Sequence, residues 1–304
     1  MELDDTRVLA FGTTGAQGSG LLDALQHRGA HPVRVSSDAA RTEAWHAEGL
    51  EAVTADLTDP DSLRAAVQGS GASAAVLHVP LGLGSPEGSA AAVAGVAALR
   101  GEGVAVAVNL GTPVPAGDEP DMMGGRERAE ALLATGASVL APTAYLENHL
   151  APWAAGPLAS GVLLYPRPTE DVVAWITARD VTAAAVAALV GDHGGQLFRL
   201  AGPQPLTFAD LADELGAGLD RRLEFREVSA AEYGDMLRSF LDPDAAAAVA
   251  GAYGAMPRTS NPSLAPDASE AWRRLGLTPT TARRWAADVL APALAPAAGR
   301  TGAG

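Results

Sequence analysis

The sequence predicts an α/β chain: a doubly wound parallel sheet followed by a smaller, mainly helical C-terminal domain. Three observations lead to this fold class. Short apolar runs alternate with helical patterns from the N-terminus onward, which is typical of parallel βαβ units. The first apolar run leads directly into a segment with three glycines, Gly12 to Gly18. From about Leu206 the alternation gives way to helical segments, which predicts a second domain.

The first part of the chain divides into seven strands and six helices. Buried strands are predicted at Val8–Phe11, Pro32–Ser36, Ala52–Ala55, Ala74–Val79, Val104–Leu110, Ser138–Ala141 and Gln196–Ala201. The helices between them are predicted at Gly18–Arg28, Ala39–Glu48, Asp59–Val67, Ser89–Arg100, Glu127–Ala134 and Asp180–Val190, the last one beginning at a capping aspartate.

The C-terminal part contains three helical patterns. Thr207 and Asp210 have the spacing of an N-cap and an acidic N3 residue, which predicts a helix over Phe208–Leu215. The segment Leu223–Val228 follows, then an Ala-rich helix near Asp244–Tyr253 and an amphipathic one at Thr281–Leu290. We therefore expect one domain over residues 1–203, a small domain over 204–291, and a disordered tail over 292–304, which is rich in Ala, Pro and Gly.

Composition excludes several classes of function. The 304 residues are 48% hydrophobic and carry a net charge of −15, so the surface repels nucleic-acid backbones. There is no cysteine, which removes disulfides and thiolate chemistry, and all 21 basic residues are arginine, which removes a catalytic lysine. The acidic N-terminus and the lack of a long apolar span predict a cytoplasmic protein that does not insert in membranes.

The segment GTTGAQG has the features of a dinucleotide-binding turn. A buried strand delivers the chain to small residues, which let the backbone approach a pyrophosphate, and the helix that follows offers its N-terminal amides to that anion. Glycine is common in this chain, so the spacing alone also fits a structural turn. The cofactor interpretation assigns binding to Gly12, Thr13, Thr14, Gly15, Ala16, Gln17 and Gly18.

The end of the second strand, VRVSSD, bears on which nicotinamide cofactor is bound. A carboxylate at this place accepts hydrogen bonds from the ribose hydroxyls of NAD, whereas an arginine pairs with the 2′-phosphate of NADP. Ser37 and Asp38 are assigned to the cofactor, and Asp38 favours NAD. Two alternatives stay open: Arg41 with Ser36 and Ser37 could hold a phosphate, and Asp38 could simply cap the next helix.

Polar side chains follow three further strands. Asp56 and Leu57 end the third strand, where the adenine of a dinucleotide would lie, although Asp56 also fits a turn before a helix capped by Asp59 or Asp61. His78 ends the fourth strand and Thr112 follows the fifth, so both point to the cleft of an open α/β sheet. His78 is a candidate cofactor contact and proton donor. The remaining histidines lack metal-ligand spacing, and no metal site is predicted.

Several segments together resemble the NmrA-like group of atypical short-chain dehydrogenases. They are GTTGAQG, VRVSSD, ADLTDPDSL, RERAEALLATGASVLAPTAYLENHL, ARD at Ala178–Asp180 and GPQPLTFADLADELG. Their order and spacing extend the resemblance to about residue 290. It implies a Rossmann domain with a small C-terminal substrate domain and NAD(P) in the cleft. Members of that group range from quinone and other NAD(P)H-dependent reductases to redox-sensing regulators without activity.

The chain departs from the family pattern at positions that carry chemistry. Arg126 stands where many relatives have lysine, and Met122 stands where ordinary short-chain dehydrogenases have tyrosine. The Tyr/Lys proton relay is therefore absent. Arg126 can supply charge or hold a ribose hydroxyl but stays protonated, and its alternative role is that of a solvated arginine at the start of a helix. Pro142 follows Ala141 where relatives often have a basic residue, and Tyr145 is the tyrosine we place near the nicotinamide, with packing as its alternative role.

These observations favour an oxidoreductase that transfers hydride from NAD(P)H to a quinone-like or activated small-molecule acceptor. Such acceptors need no dedicated proton relay, because the ring stabilises the product anion. The alternatives are a non-catalytic redox sensor that acts through a protein partner and an enzyme of isomerase or lyase type. A reductase needs an apolar pocket, for which Tyr145, Trp153, Tyr165, Met236 and Leu237 are candidates. A homodimer is a further possibility.

Overall fold

The computed structural model describes residues 3–18, 20–79, 85–119, 121, 124–191, 193–256 and 261–295. The chain divides into two compact units. The first unit comprises residues 1–143, 178–201 and 266–279, and the second comprises 144–177, 202–265 and 280–304. The sequence placed a single boundary at residue 203. The second unit instead takes in residues 144–177, because their short strands pair with strands from the later part of the chain.

The first unit contains one parallel sheet of seven strands in the order β3-β2-β1-β4-β5-β6-β9. This confirms the predicted doubly wound α/β fold, including the last strand, which pairs with β6. The strands are β1 Arg7–Phe11, β2 His31–Ser36, β3 Ala52–Thr54, β4 Ala74–His78, β5 Ala105–Asn109, β6 Ser138–Pro142 and β9 Leu197–Leu200.

Helices cover both faces of this sheet. Alternate residues of a strand point to opposite faces of the sheet. Leu9 and Phe11 of β1 pack in one core with residues of α3, α4 and α5. Helices α1 and α7 also contact the central strands. The helices of the first unit are α1 Leu21–Gln26, α2 Ala39–Ala47, α3 Pro60–Ser70, α4 Pro86–Gly101, α5 Gly125–Ala134, α7 Ala178–Val190 and α11 Ser269–Leu275.

Helices α4 and α5 begin at Pro86 and Gly125, three and two residues before their predicted starts, and two further helix starts differ near the glycine turn and at α7. The first helix does not begin at Gly18, because residues Ala16–Gly18 form a 3-10 turn and α1 starts at Leu21. Helix α7 begins at Ala178, so Asp180 lies inside its first turn and is not its cap. Both differences arise because cap position depends on the backbone path entering the helix, which a residue type alone does not fix.

The second unit combines short helices with two-stranded sheets. Strand β7 pairs in parallel with β11, and β8 pairs antiparallel with β10. Its elements are a 3-10 turn Leu146–Leu150, α6 Pro152–Ala159, β7 Val162–Tyr165, β8 Val172–Val173, β10 Leu206–Thr207, α8 Phe208–Gly218, β11 Glu224–Glu227, α9 Ala230–Leu237, α10 Pro243–Ala255, a 3-10 turn Pro262–Leu264, α12 Ala282–Trp285, a π-helical turn Ala286–Leu290 and α13 Ala291–Leu294.

The predicted cap of α8 is confirmed. The Thr207 hydroxyl accepts a hydrogen bond from the Asp210 amide, and the Asp210 carboxylate accepts one from the Thr207 amide, which is a complete capping box. Of the predicted tail, residues 292–294 belong to α13 and residues 296–304 lie outside the described residues. No helix of the described part is long and apolar enough to cross a membrane.

Candidate functional site

The candidate site lies at the carboxyl edge of the seven-stranded sheet, where the strand order reverses. The chain runs outward from β1 through β2 to β3 and then returns to β4 on the other side of β1. In open α/β sheets a crevice forms at this switch point, beyond the carboxyl ends of the two central strands. The glycine turn follows β1, and His78 ends β4, so the topology brings both to this crevice.

The glycine turn has a backbone that requires glycine at two places. Gly12 has φ of +70°, and the Gly15 and Gly18 amides donate to the carbonyls of Gly12 and Gly15, each at 3.1 Å. A Cβ on Gly18 would lie 2.1 Å from the Gly12 carbonyl oxygen. The turn exposes Gly12, Thr14, Gly15 and Ala16, leaves Thr13 and Gln17 half-buried and buries Gly18. Its outer backbone is thus open to an anion.

Three buried polar atoms at this edge have no hydrogen-bond partner among the described residues. They are Gln17 Oε1 in the glycine turn, His78 Nδ1 after β4 and Thr112 Oγ1 after β5. A Cβ built on Gly111 would lie 3.5 Å from Gln17 Oε1 and 3.7 Å from His78 Nδ1, so both atoms lie beside Gly111. Unpartnered buried polar atoms are costly and rare in folded proteins. Their position at the switch point indicates a ligand-binding edge.

His78 is neutral at pH 7 in this structure. Burial lowers its pKa to about 4, and a hydrogen bond with the Asn109 backbone acts in the opposite direction. At this pKa the imidazole carries no imidazolium proton at pH 7, and the role of His78 as a proton donor stays a prediction. Its place beside Gly12 and Gly111 is compatible with contact to a cofactor.

Asn109 is a site residue that the sequence analysis missed. It ends β5, accepts a hydrogen bond from the Gly111 amide at 2.9 Å, and lines a small cavity of about 10 Å³ with Gln17, Gly18 and His78. That cavity is the size of one water molecule, so a dinucleotide would lie outside it. The signal was present in the sequence, since AVAVN places a polar residue at the end of a buried strand.

At the end of β2, the Asp38 carboxylate caps α2. It accepts hydrogen bonds from the amides of Ala40 and Arg41 at 3.0 and 3.4 Å, while the Asp38 amide donates to the Ser36 hydroxyl. Arg41 donates to the Thr14 hydroxyl in the glycine turn at 3.1 Å. The exposed guanidinium of Arg41 therefore contacts the glycine turn, while the Asp38 carboxylate is hydrogen-bonded to amides of its own helix. Ser37 is exposed beside them.

The structure uses Asp56 as a turn residue. Its carboxylate accepts hydrogen bonds from the amide and hydroxyl of Thr58, both at 2.8 Å, and Asp59 caps α3. Leu57 is buried, and its carbonyl oxygen lies 2.0 Å from where a Cβ on Gly95 would be, so α4 packs closely on it. These contacts match the alternative given for Asp56, and they make Leu57 part of the core of the first unit.

Arg126 holds the loop that follows β5. Its guanidinium donates to the carbonyls of Gly117 and Glu119 at 2.7 and 3.1 Å, and Arg199 donates to the carbonyls of Val114 and Pro115 in the same loop. Arg126 thus has a structural task that none of its predicted roles included. Met122 lies outside the described residues. Pro142 is buried at the end of β6.

The predicted pocket residues belong to the second unit, where rings pack densely. Tyr165 lies at the centre: its hydroxyl is 2.6 Å from that of Tyr253, and its ring neighbours His149, Trp175 and Phe208 at centroid distances of 6.1, 5.6 and 5.0 Å. Tyr145, Tyr165 and Leu237 are buried, while Trp153 and Met236 are half-buried. Tyr165 therefore packs in the core of the second unit, and Tyr145, which is also buried, keeps both of its predicted roles, near the nicotinamide or in packing.

The buried rings shift the pKa values of their titratable groups. Burial lowers the pKa of His149 to about 4 and raises that of Tyr165 well above its usual range, with Tyr253 and Tyr233 adding to the latter shift. His149 Nε2 and Trp175 Nε1 have no partner among the described residues. His149 is part of the aromatic core of the second unit.

Comparison with known proteins gives the family. The family model described as NAD dependent epimerase/dehydratase family matches residues 8–106. The chain is 31% identical over 231 residues to (4-alkanoyl-5-oxo-2,5-dihydrofuran-3-yl)methyl phosphate reductase of Streptomyces griseus, a match covering 73% of this chain and 77% of that protein. This chain belongs to the NAD(P)-binding Rossmann family.

Two further likenesses agree with that assignment. Over 224 residues the chain is 28% identical to the NAD(P)H azoreductase of Xenophilus azovorans, with 72% of this chain and 76% of that protein covered. It also superimposes on the triphenylmethane reductase of Citrobacter sp. complexed with NADP(H), with a TM-score of 0.72, 18% identity, and coverage of 94% and 100% of the two chains. At that identity the second likeness concerns the fold.

The first unit fits a dinucleotide cofactor on its own observations. In the turn between β1 and α1, Gly18 packs against the Gly12 carbonyl, Gly12, Thr14, Gly15 and Ala16 are exposed, and polar atoms at the edge lack partners. A nicotinamide cofactor brings a pyrophosphate and an amide that such a site can bind. A metal centre has no comparable support, since the described residues contain no group of three or more His, Asp or Glu side chains placed to hold an ion.

Proposed function

We propose that this protein is an NAD(P)H-dependent oxidoreductase that delivers hydride to a quinone-like or otherwise activated small-molecule acceptor. One observation carries the proposal: the switch point combines an exposed glycine turn with the unpartnered polar atoms of Gln17, His78 and Thr112. The related reductases from Streptomyces griseus and Xenophilus azovorans support the same class of reaction. Within the family, we assign the chain to the NmrA-like group.

The acceptor class follows from what the protein lacks. The cofactor supplies the hydride when bound. The chain has no lysine to lower the pKa of a tyrosine, and His78 with its pKa near 4 holds no imidazolium proton at neutral pH. An acceptor whose product anion is stabilised by its own conjugated system does not need a strong acid from the protein. Water can then complete the protonation, and the protein's share is to orient cofactor and acceptor.

For the cofactor, the contacts around β2 support NADP(H), in contrast to the preference for NAD drawn from the sequence. One Asp38 oxygen is engaged at the start of α2, and Arg41 reaches Thr14 in the glycine turn. A guanidinium here pairs with a 2′-phosphate, for which Ser36 and Ser37 offer further hydrogen bonds. We therefore propose that Arg41 and Ser37 select NADPH.

The remaining site assignments follow from this proposal. Residues 12–18 hold the pyrophosphate, and His78 and Thr112 line the nicotinamide end of the site. Asp56, Leu57 and Pro142 stay predicted cofactor contacts at the carboxyl edge of the sheet. Arg126 is proposed as a positioning residue, because it holds the loop that follows β5. Tyr145 stays a predicted residue near the acceptor. The cytoplasmic location and a homodimer or protein partner also stay predictions.

The first test is nucleotide binding followed by turnover. We expect NADPH to bind more tightly than NADH in a fluorescence titration, and a panel of small quinones to be reduced as nicotinamide absorbance falls. Gly18→Ala should abolish binding, since its Cβ would meet the Gly12 carbonyl oxygen at 2.1 Å. Gly101→Ala is the matched control, because nothing lies within 4 Å of a Cβ there.

The outcomes separate the alternatives. Tight NADPH binding with quinone reduction supports the reductase. Tight binding without turnover of any acceptor favours a redox sensor that acts through a protein partner. If the wild-type protein binds neither nucleotide, both functions are wrong, and an isomerase or lyase without a tightly held cofactor becomes the reading to test.

A further inference from the structure

Helix α7 begins beside the glycine turn. It precedes β9, which runs parallel to the other strands of its sheet, so the helix starts at the carboxyl edge and ends at the amino edge. Its residues contact both α1 and the 3-10 turn Ala16–Gly18, and Val181 and Thr182 line the same small cavity as Gln17. The first turn of α7 therefore belongs to the rim of the candidate site.

Arg179, the second residue of α7, lies over this rim. Its Cγ and Cδ atoms are 3.4 and 3.9 Å from where a Cβ on Gly20 would be, so its aliphatic part packs on the chain just after the glycine turn. The guanidinium extends beyond Cδ, and Arg179 is exposed. The charged group is therefore placed beside the segment that follows the glycine turn, in which Gly15 and Ala16 are exposed.

Arg179 also has no ion-pair or hydrogen-bond partner among the described residues, although the chain has a net charge of −15. Most arginines of the described part are committed: Arg7, Arg64, Arg167, Arg238, Arg283 and Arg284 form ion pairs, and Arg41, Arg100, Arg126, Arg128, Arg199, Arg221 and Arg274 donate hydrogen bonds. An uncommitted guanidinium at the one edge where an anion is expected is available to bind that anion.

We propose that Arg179 binds the pyrophosphate of the nicotinamide cofactor, opposite Arg41, which serves the 2′-phosphate. This inference rests on the proposed function. An acidic protein repels a ligand with several phosphate charges, and the glycine turn offers only amide dipoles against that repulsion. Arg41 on α2 and Arg179 on α7 approach the glycine turn from different elements, so that Arg41 binds the 2′-phosphate and Arg179 binds the pyrophosphate.

The test uses ligands that carry one phosphate group or the other. ADP contains the pyrophosphate without a 2′-phosphate, and adenosine 2′-monophosphate contains the reverse. We expect Arg179→Gln to weaken NADPH and ADP roughly tenfold or more, as for the loss of a charge-assisted hydrogen bond, and to leave adenosine 2′-monophosphate unchanged. Arg41→Gln should weaken NADPH and adenosine 2′-monophosphate and spare ADP. Calorimetry on the full chain measures all of these affinities.

Arg28→Gln is the matched control, because Arg28 is exposed, has no partner among the described residues and follows α1 at the opposite edge of the sheet. It removes the same charge and should change no affinity. Equal weakening by Arg28→Gln and Arg179→Gln, an unchanged ADP affinity in Arg179→Gln, or a matching loss of adenosine 2′-monophosphate would each overturn the inference. If the wild-type protein binds no nucleotide, the proposed function fails first and this inference with it.

Discussion

The cores of the two units are built from different side chains. In the core cluster of the first unit the buried residues are Ala, Val and Leu, with Phe11 the only aromatic residue among the described ones. The second unit packs Tyr165, Trp175, Phe208 and Trp285 into its main cluster. Aliphatic side chains bury no polar atoms, whereas a buried Tyr hydroxyl or Trp N–H needs a hydrogen-bond partner.

The difference shows where unpartnered polar atoms are informative. In the first unit, Gln17, His78 and Thr112 place them at the carboxyl edge of the sheet, where a ligand can supply partners. In the second unit, His149 Nε2 and Trp175 Nε1 are enclosed among rings, and they cost stability without an evident ligand. Histidines with the same lowered pKa, about 4, therefore have different meanings in the two units.

The largest expected change in unfolding free energy comes from breaking an ion pair, and it should differ between the two units. Arg167 and Asp171 form a buried pair in the second unit, with side chains 6% and 8% exposed, whereas Arg64 and Asp61 form an exposed pair on α3 of the first. Arg167→Met leaves a buried carboxylate unpaired and should cost about 3–5 kcal/mol of unfolding free energy. Arg64→Met should cost less than about 1 kcal/mol. Urea unfolding measures both, and equal costs would contradict the assignment of burial.

The second prediction concerns pH. A histidine whose pKa falls from 6.5 to about 4 on folding contributes stability that is fully present above pH 6.5 and is lost as pH falls toward 4, because the unfolded chain takes up the proton first. The loss for His149 is about 3 kcal/mol over that window.

His149→Phe should flatten this part of the pH profile of unfolding free energy relative to that of the wild-type protein. Melting temperatures between pH 4 and pH 7 provide the measurement. A profile of His149→Phe that matches the wild-type slope would show that the imidazole is not kept neutral by the aromatic core.

The smallest expected change in unfolding free energy concerns the two paired tyrosine hydroxyls of the aromatic core. Tyr165→Phe or Tyr253→Phe breaks the hydroxyl pair at 2.6 Å and removes one hydrogen bond from the aromatic core, which should cost about 1–2 kcal/mol each. The double variant should cost less than the sum, since it removes both members of the pair. Chemical denaturation of the three variants checks this, and simple additivity would mean that the hydroxyls act independently.

Local signals in the sequence predicted much of the first unit and the cap of α8. Each strand of the sheet is a short apolar run bounded by turn residues, and Thr207 with Asp210 is a local pattern that needs no distant partner. Helix α9 was missed although Ser229 and Glu232 form a capping box of the same kind. Strands β7 and β8 were missed because each is short and becomes a strand only through pairing with β11 or β10.

The site divides in the same way. The glycine turn and the place of His78 follow from residue order, because a strand followed by small residues leads to one edge of a parallel sheet. The tasks of Asp38, Asp56 and Arg126 did not follow, since each is decided by hydrogen bonds that the same residue types make equally well to a cofactor. Asp38 illustrates this: a carboxylate at the end of a strand is both a ribose acceptor and a helix cap.

The sequence by itself determined the α/β class, the glycine turn, the absence of a Tyr/Lys relay and the acidic surface, because each depends on composition or on neighbours along the chain. Only the tertiary structure decided that residues 144–177 join the second unit and that Arg41 reaches Thr14. Tertiary structure also placed Arg179 over Gly20. These are contacts between residues far apart in the chain, whose geometry is fixed by how helices and strands pack and not by local preference.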